Sequence, residues 1–306
     1  VESDQFLHYR LTSCLGQGPL GETWQAYDPA LERGVAVKLL RSYVQGSDDL
    51  RSRHIIMQER LRAQPNPPAT VFDWVDQNGR EGVVREYIEG ESLARRFAQG
   101  DSSYQAALGL LSHLSRLVKT MHHCDMVHGN LHPWNIILDH TGEPRLTDAL
   151  LPDITKPWLS EVPSERRVFI APEVLAGRTP DRRSDIFSLG AIAIYLFIGE
   201  RILQMPQLRL EQVAEAYSTG ADTELTGLLD IPLEARLLLG VMLAEDPKER
   251  FSDIDGLIAT LHQVRNPERE SAVAREKQTN PRTYLMLSIL ALLLVILWIV
   301  VASVKG

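Results

Sequence analysis

The spacing of apolar and polar positions changes character along the chain. As far as residue 89, short runs such as Val35 to Leu40, Val71 to Val75 and Gly82 to Tyr87 are rich in β-branched and other apolar residues and end in turn-forming ones. That texture predicts strands. Gly16 to Gly21 predicts strand and turn, and a helix is expected from Asp49 to Gln64. From Ser103 the period becomes helical, with Ala107, Leu110, Leu111, Leu114, Leu117, Val118 and Met121 on one face, as in a helix packed on a core. The chain therefore divides into a small, mostly β lobe with one helix, residues 1–89, and a larger helical lobe, residues 90–264. No internal repeat is visible.

A third texture follows. Arg265 to Arg282 is polar and charged and contains Pro267 and Pro281, which predicts a flexible linker over residues 265–283. Leu285 to Val304 carries no charge, and its only hydroxyl residues are Ser288 and Ser303. At about 1.5 Å per residue, some twenty residues span the roughly 30 Å hydrocarbon core of a bilayer. A transmembrane helix is expected over residues 284–304, with Tyr284 and Trp298 suited to it. Arg265, Arg269, Arg275, Lys277 and Arg282 precede it and Lys305 follows, so the positive charge places the large domain in the cytoplasm of a single-pass cell-membrane protein. Val1 to Gln5 lacks the charged and apolar regions of a signal peptide, which argues against secretion from that end.

Composition narrows the classes further. The 306 residues are 44% hydrophobic and 24% charged, enough apolar material for a full core and too little net charge density for disorder. With 32 Lys and Arg against 40 Asp and Glu, the formal charge of -8 supplies no basic field to hold nucleic acid, and no such partner is expected. Cys14 and Cys124 lie far apart without metal-ligand spacing, which fits a reducing compartment, and both are expected to be buried.

Candidate chemistry is concentrated in four stretches. Gly16-Gln-Gly18-Pro-Leu-Gly21 spaces three glycines so that backbone could close over phosphates. Val35-Ala36-Val37-Lys38 places one lysine inside a β-branched strand, where it could aim a charge at phosphate oxygens. His128-Gly129-Asn130-Leu131-His132-Pro133-Trp134-Asn135 and then Thr147-Asp148-Ala149-Leu150 supply a polar loop and an acidic one.

In this order, and with Arg85-Glu86-Tyr87-Ile88-Glu89-Gly90, Ala171-Pro172-Glu173, Ser184 to Gly190, Asp246-Pro247 and Arg250-Phe251, the motifs resemble the protein-kinase superfamily. The likeness is to bacterial members similar to eukaryotic serine/threonine kinases, and it runs from about Tyr9 to Leu261. It implies an α+β bilobal fold and a site for ATP and Mg2+. Gly16, Gly18, Gly21, Ala36, Glu86 and Ile88 would surround the nucleotide, and Lys38 would meet its phosphates with Glu59 as helix partner. Asn135 and Asp148 would hold the metal, because their side-chain oxygens suit a hard cation. Glu173 would pair with Arg250 as a structural salt bridge.

The departures from the family pattern are more informative. Asn130 stands where the catalytic aspartate would accept the substrate proton, and loss of a positioned base typically costs roughly 10² to 10⁴ in rate. His132 replaces the following lysine, Ala149 the aromatic after the magnesium aspartate, and Gly129 the arginine that reads activation-segment phosphorylation. Thr155, Ser160 and Ser164 are the only hydroxyl residues between Asp148 and Ala171, so phosphorylation-dependent activation is disfavoured. Arg85 falls where an apolar side chain would guard the nucleotide pocket, and it is expected to pair with Glu59 or Asp148, since a buried unpaired guanidinium is costly. The resemblance with these departures implies a membrane-tethered pseudokinase, a scaffold or ATP-binding switch that engages protein partners. The alternative is a weakly active serine/threonine kinase. Small-molecule phosphotransferases of the aminoglycoside type share a similar pattern around residues 128–133, but Ala171-Pro172-Glu173 and Ser184 to Gly190 belong to protein kinases.

Overall fold

The computed structural model describes residues 5–42, 56, 58–64, 67–100, 102–149, 159–204, 212 and 231–265. Val1–Leu261 form one compact unit. His262–Gly306 form a second, of which 262–265, the end of a helix, are described, so the expected linker and membrane helix lie outside the described residues.

The small lobe is one antiparallel sheet of six strands: β1 (Gln5–Phe6), β2 (Tyr9–Gly18), β3 (Gly21–Asp28), β4 (Arg33–Leu40), β5 (Val71–Gln77) and β6 (Arg80–Glu86). They lie in the order β1-β2-β3-β4-β6-β5. Strand alternation decides what each side chain does. On β4, Val35, Val37 and Leu39 enter an apolar cluster with Phe6, Tyr9, Ala26 and Val84, while Ala36 and Lys38 turn to the opposite face and line a cleft. Gly21, with φ +151°, is required by the sheet itself, because a Cβ there would lie 2.0 Å from the Leu39 carbonyl oxygen. Of the helix expected over 49–64, residues 56 and 58–62 are described as helical.

Strand β7 (Gly90–Ser92) leads from the small lobe into the large one and pairs with a hairpin of β8 (Ile136–Asp139) and β9 (Pro144–Leu146). The helices of the large lobe include, among the described residues, α1 (Leu93–Arg96), α2 (Tyr104–His123), α3 (Pro172–Leu175), α4 (Arg182–Ile198), α5 (Leu233–Met242) and α6 (Ile254–Arg265). The predicted stripe lies on α2: Ala107, Leu111, Leu114, Leu117, Val118 and Met121 are buried, whereas Leu110 is half-buried and Leu108 takes a core position. Ser103 caps this helix by accepting a hydrogen bond from the Ala106 backbone N–H.

Helix α4 is the centre of the large lobe. Asp181 and Ser184 close a capping box at its start, and its side chains are buried on all faces from Ser184 to Leu196. Arg182–Gln204 is long and apolar enough to cross a bilayer, but it is largely buried, as befits a core helix. Cys124 is buried and Cys14 is exposed, contrary to the expectation for Cys14, because the outer half of β2 projects beyond the apolar cluster.

Two charged contacts tie the loops to this core. Asp185, fully excluded from solvent, accepts hydrogen bonds from the backbone N–H of His128 and of Gly129, both at 2.8 Å, and lies 2.9 Å from His122 Nε2. Gly129 has φ +66°, a conformation that favours glycine. Arg250 meets Glu173 through two 2.8 Å hydrogen bonds and donates to the carbonyls of Ala244, Glu245 and Arg183. Burial pushes the Glu173 carboxyl up, but its bonds to Arg250 hold it below the usual range.

Removing the Asp185 carboxylate strands two backbone donors and a buried histidine. Asp185→Ala is expected to lower the free energy of unfolding by about 3 to 5 kcal/mol, with a smaller loss for Asp185→Asn, which keeps an acceptor oxygen. Urea titration followed by circular dichroism checks this, and a loss below about 1 kcal/mol for the alanine variant would contradict it.

Candidate functional site

A cleft of about 490 Å³ lies between the lobes. Gly16, Gly18, Gly21, Ala36, Lys38, Ile88, Asn130, His132, Asn135 and Asp148 line it together, although they come from widely separated parts of the sequence. The β8/β9 hairpin explains one convergence. Ile136 faces Leu146 in register, and the Thr147 N–H donates to the Asn135 carbonyl at 2.9 Å, so the residues just outside the hairpin are brought side by side. Asn135 is thereby set near Asp148. The catalytic-type loop closes on itself: Asn135 Nδ2 donates to the Asn130 carbonyl at 2.9 Å, and Asn130 Nδ2 donates to the Asp148 carbonyl at 3.1 Å.

Two expected residues stand elsewhere. Glu59 is exposed and does not pair with Lys38; among the described residues of that helix Gln58, one position earlier, and Leu61 are the buried ones. A shift of one residue turns a helical side chain by about 100°, which is enough to exchange the inward and outward positions. Lys38 Nζ instead lies 2.9 Å from Asp148 Oδ2. The Glu86 side chain is committed to Arg145 Nη2 at 2.8 Å and to the Thr70 N–H at 3.2 Å, and Glu86 does not line the cleft.

Arg85 is 8% exposed and its Nε lies 3.6 Å from Asp148 Oδ1, so of its two expected partners the structure selects Asp148. That distance is too long for a hydrogen bond, and the buried Nε has no hydrogen-bond partner. Burial pushes the Asp148 carboxyl up, but Lys38 and Arg85 together hold it far below the usual carboxylate range. Asp148 also has φ +60°, uncommon for a residue with a Cβ.

These contacts decide how the site fits magnesium. The ion requires oxygen ligands at about 2.0 to 2.1 Å in near-octahedral geometry. Here both Asp148 oxygens face cations, and Asn135 contributes a neutral amide. As arranged, the pair does not fit the metal unless Lys38 and Arg85 withdraw.

His132 is half-buried and neutral: burial, then the nearby Arg166 guanidinium, push its pKa down to about 3. His128 is shifted in the same direction by burial. Behind Arg85 a second, apolar cavity of about 70 Å³ is bordered by Leu61, Trp74, Met121 and Ala149. Ala149 leaves part of this space open, in keeping with its lack of an aromatic ring.

Cleft residues that the sequence motifs give no role include Trp134, inside the 128–135 stretch, and Arg166, in a stretch without pattern. Arg166 comes from the 3-10 turn Ser164–Phe169 and stacks on Trp134, 4.5 Å from the ring centre. Nothing in local spacing could have placed it in the cleft.

The profile of the family described as "Protein kinase domain" matches residues 9–264. A serine/threonine-protein kinase PknA of Corynebacterium glutamicum is 25% identical, over 85% of this chain and 57% of its own length. PknA of Mycobacterium tuberculosis is 26% identical, over 86% of this chain and 63% of its own. The chain thus spans well under two thirds of one relative and slightly under two thirds of the other. The solved kinase domain of Mycobacterium tuberculosis PknI superposes with a TM-score of 0.62 at 19% identity, over 86% of this chain and 99% of that one, a likeness of fold.

The depressed pKa values of His132 and of the buried His128 predict an acid-sensitive fold. An unfolded histidine titrates near about 6.5, so as pH falls from there toward 3 the unfolded chain binds a proton that folded His132 excludes, and stability falls with it. His132→Gln removes one such proton and is expected to flatten the rise of melting temperature between about pH 4.5 and pH 7. Parallel profiles for the two proteins would count against the assignment.

Proposed function

This chain belongs to the protein kinase family, and within it we propose that it acts as a membrane-tethered pseudokinase, a scaffold or ATP-binding switch for protein partners. Protein kinases generally use ATP and Mg2+. The observation that carries the reading is Asn130. Its amide nitrogen is bonded to the Asp148 carbonyl, and a neutral amide offers no base to a substrate hydroxyl near neutral pH. His132 stays uncharged beside it, so the family's lysine has no replacement at that position.

Membrane tethering rests on the length and the absence of charge of Leu285 to Val304, with the arginines before it favouring a cytoplasmic domain. Nucleotide binding rests on Lys38 and Ile88 in one cleft with the glycine turn. Because Asn135 and Asp148 line the same cleft, weak serine/threonine kinase activity is the second reading.

Phosphoryl transfer by the wild-type chain is expected near background, and Asn130→Asp alone is expected to restore little. The triple change Asn130→Asp, His132→Lys and Ala149→Phe should give far more activity than the single changes added together, because groups that act as a unit are non-additive. Autophosphorylation and transfer to a basic protein substrate measure this. Robust wild-type turnover, lost in Lys38→Met and in Asp148→Ala, would establish the second reading instead.

Deleting the residues after Asn280 is expected to release the protein from membranes, while carbonate washing should leave the intact chain in the pellet. A truncated chain that still pellets, with an intact one freed by carbonate, would remove the anchor from the proposal.

A further inference from the structure

Among the described residues the cleft is lined by four cationic side chains, Lys38, Arg85, Arg95 and Arg166, and by two carboxylates, Glu91 and Asp148. Arg95 and Glu91 pair with each other at 3.1 Å on the exposed rim. Among the described residues, Lys38 and Arg85 hold the two Asp148 oxygens, while the acidic neighbour of Arg166 is Glu165, the residue before it. A divalent cation entering there meets an ammonium and a guanidinium at its expected ligand. An anion meets the reverse situation.

Arg166 is positioned for such an anion. Trp134 supports one face of its guanidinium, and Nη1 lies 4.0 Å from where a Cβ on Gly18 would stand, which places the group under the glycine turn. Among the described residues no carboxylate or carbonyl hydrogen-bonds to the guanidinium. The buried Arg85 Nε likewise lacks a hydrogen-bond partner. A buried guanidinium nitrogen without an acceptor, and a half-buried guanidinium stacked below the glycine turn, suit an anionic ligand.

We propose that Arg166 supplies the positive charge that position 132 lacks, and that with Lys38 and Arg85 it holds the phosphates of a nucleoside triphosphate without a divalent cation. This rests on the reading of the cleft as a nucleotide site and specifies its chemistry. Three cations around one engaged carboxylate do the charge neutralisation that metal ions do in the family at large. Arg166 is a binding residue here, since no transfer step is required of it.

The test is a titration of the full chain, in mild detergent, with ATP in excess Mg2+ and in EDTA. Affinities within about threefold of each other are expected. Arg166→Ala should weaken binding in EDTA by about tenfold or more, the usual effect of losing a hydrogen bond to a charged group, without lowering the ligand-free melting temperature. Arg85→Met, which frees one Asp148 oxygen, should shift the preference toward Mg2+, and this decides the matter should Arg166→Ala not fold. Wild-type binding only with Mg2+ would overturn this inference and leave the nucleotide site standing. Unchanged or tighter binding by Arg166→Ala in EDTA, as for a side chain that blocks the site, would also overturn it, and so would an Arg85→Met variant without a gain from Mg2+. Absence of binding in both conditions would remove the nucleotide reading and this inference with it.

Discussion

The Asp185 carboxylate, sealed beneath the cleft at the start of helix α4, is the contact through which the core dictates the shape of the site. A buried charge is tolerable only when its hydrogen-bonding capacity is filled, and here two backbone N–H groups and a histidine fill it. The consequence is directional. Because the donors belong to His128 and Gly129, the loop that follows leaves the core at a fixed point, and Asn130 comes under the Asp148 backbone. The β8/β9 hairpin then returns Asn135 and Asp148 to the same place. Packing of an apolar helix thus becomes placement of polar side chains.

Glu173 and Arg250 perform the corresponding task at the end of the activation segment. Their paired hydrogen bonds leave little freedom to helix α3, just beyond the turn that carries Arg166. Phe169 and Trp134 meet edge to face, with ring centres 6.2 Å apart, which fixes the turn against the catalytic-type loop. An arginine stacked there contributes field as well as contact, adding to the burial that depresses the pKa of His132.

The departures from the family pattern form one electrostatic arrangement. Exchanging the catalytic aspartate for Asn130 removes a negative charge, Arg85 adds a positive one at the back wall, and Arg166 adds another at the front. Asp148 remains as the carboxylate that Arg85 shares with Lys38. On the proposed reading, a cleft built this way holds an anion rather than transferring a phosphoryl group, since the groups that would accept a proton and carry metal are absent or engaged.

How much of this was legible in the sequence depends on the range of the interaction. Strand alternation along Val35 to Leu40 is local and sufficient to send Lys38 to one face and Val37 to the other, and the 3.6-residue stripe of α2 is local too. Motifs in a fixed order then carried the two lobes, the pairing of Glu173 with Arg250 and the loss of the base at Asn130. The same reasoning set Glu59 toward Lys38, and a single residue of helical phase was enough to expose it. Cys14 was misplaced because strand composition does not say which end of a strand overhangs the core. The partner of Arg85 was narrowed to two by charge and decided by the fold. Arg166 lies in a turn with no period, and its approach to Trp134 and Gly18 follows from the packing of the turn, the catalytic-type loop and the glycine turn against one another. Periodicity and motif order determined the scaffold and which residue types stand at the family's motif positions, while the distribution of charge inside the cleft was decided by tertiary structure, because ion pairs between loops depend on distances through space that no local spacing encodes.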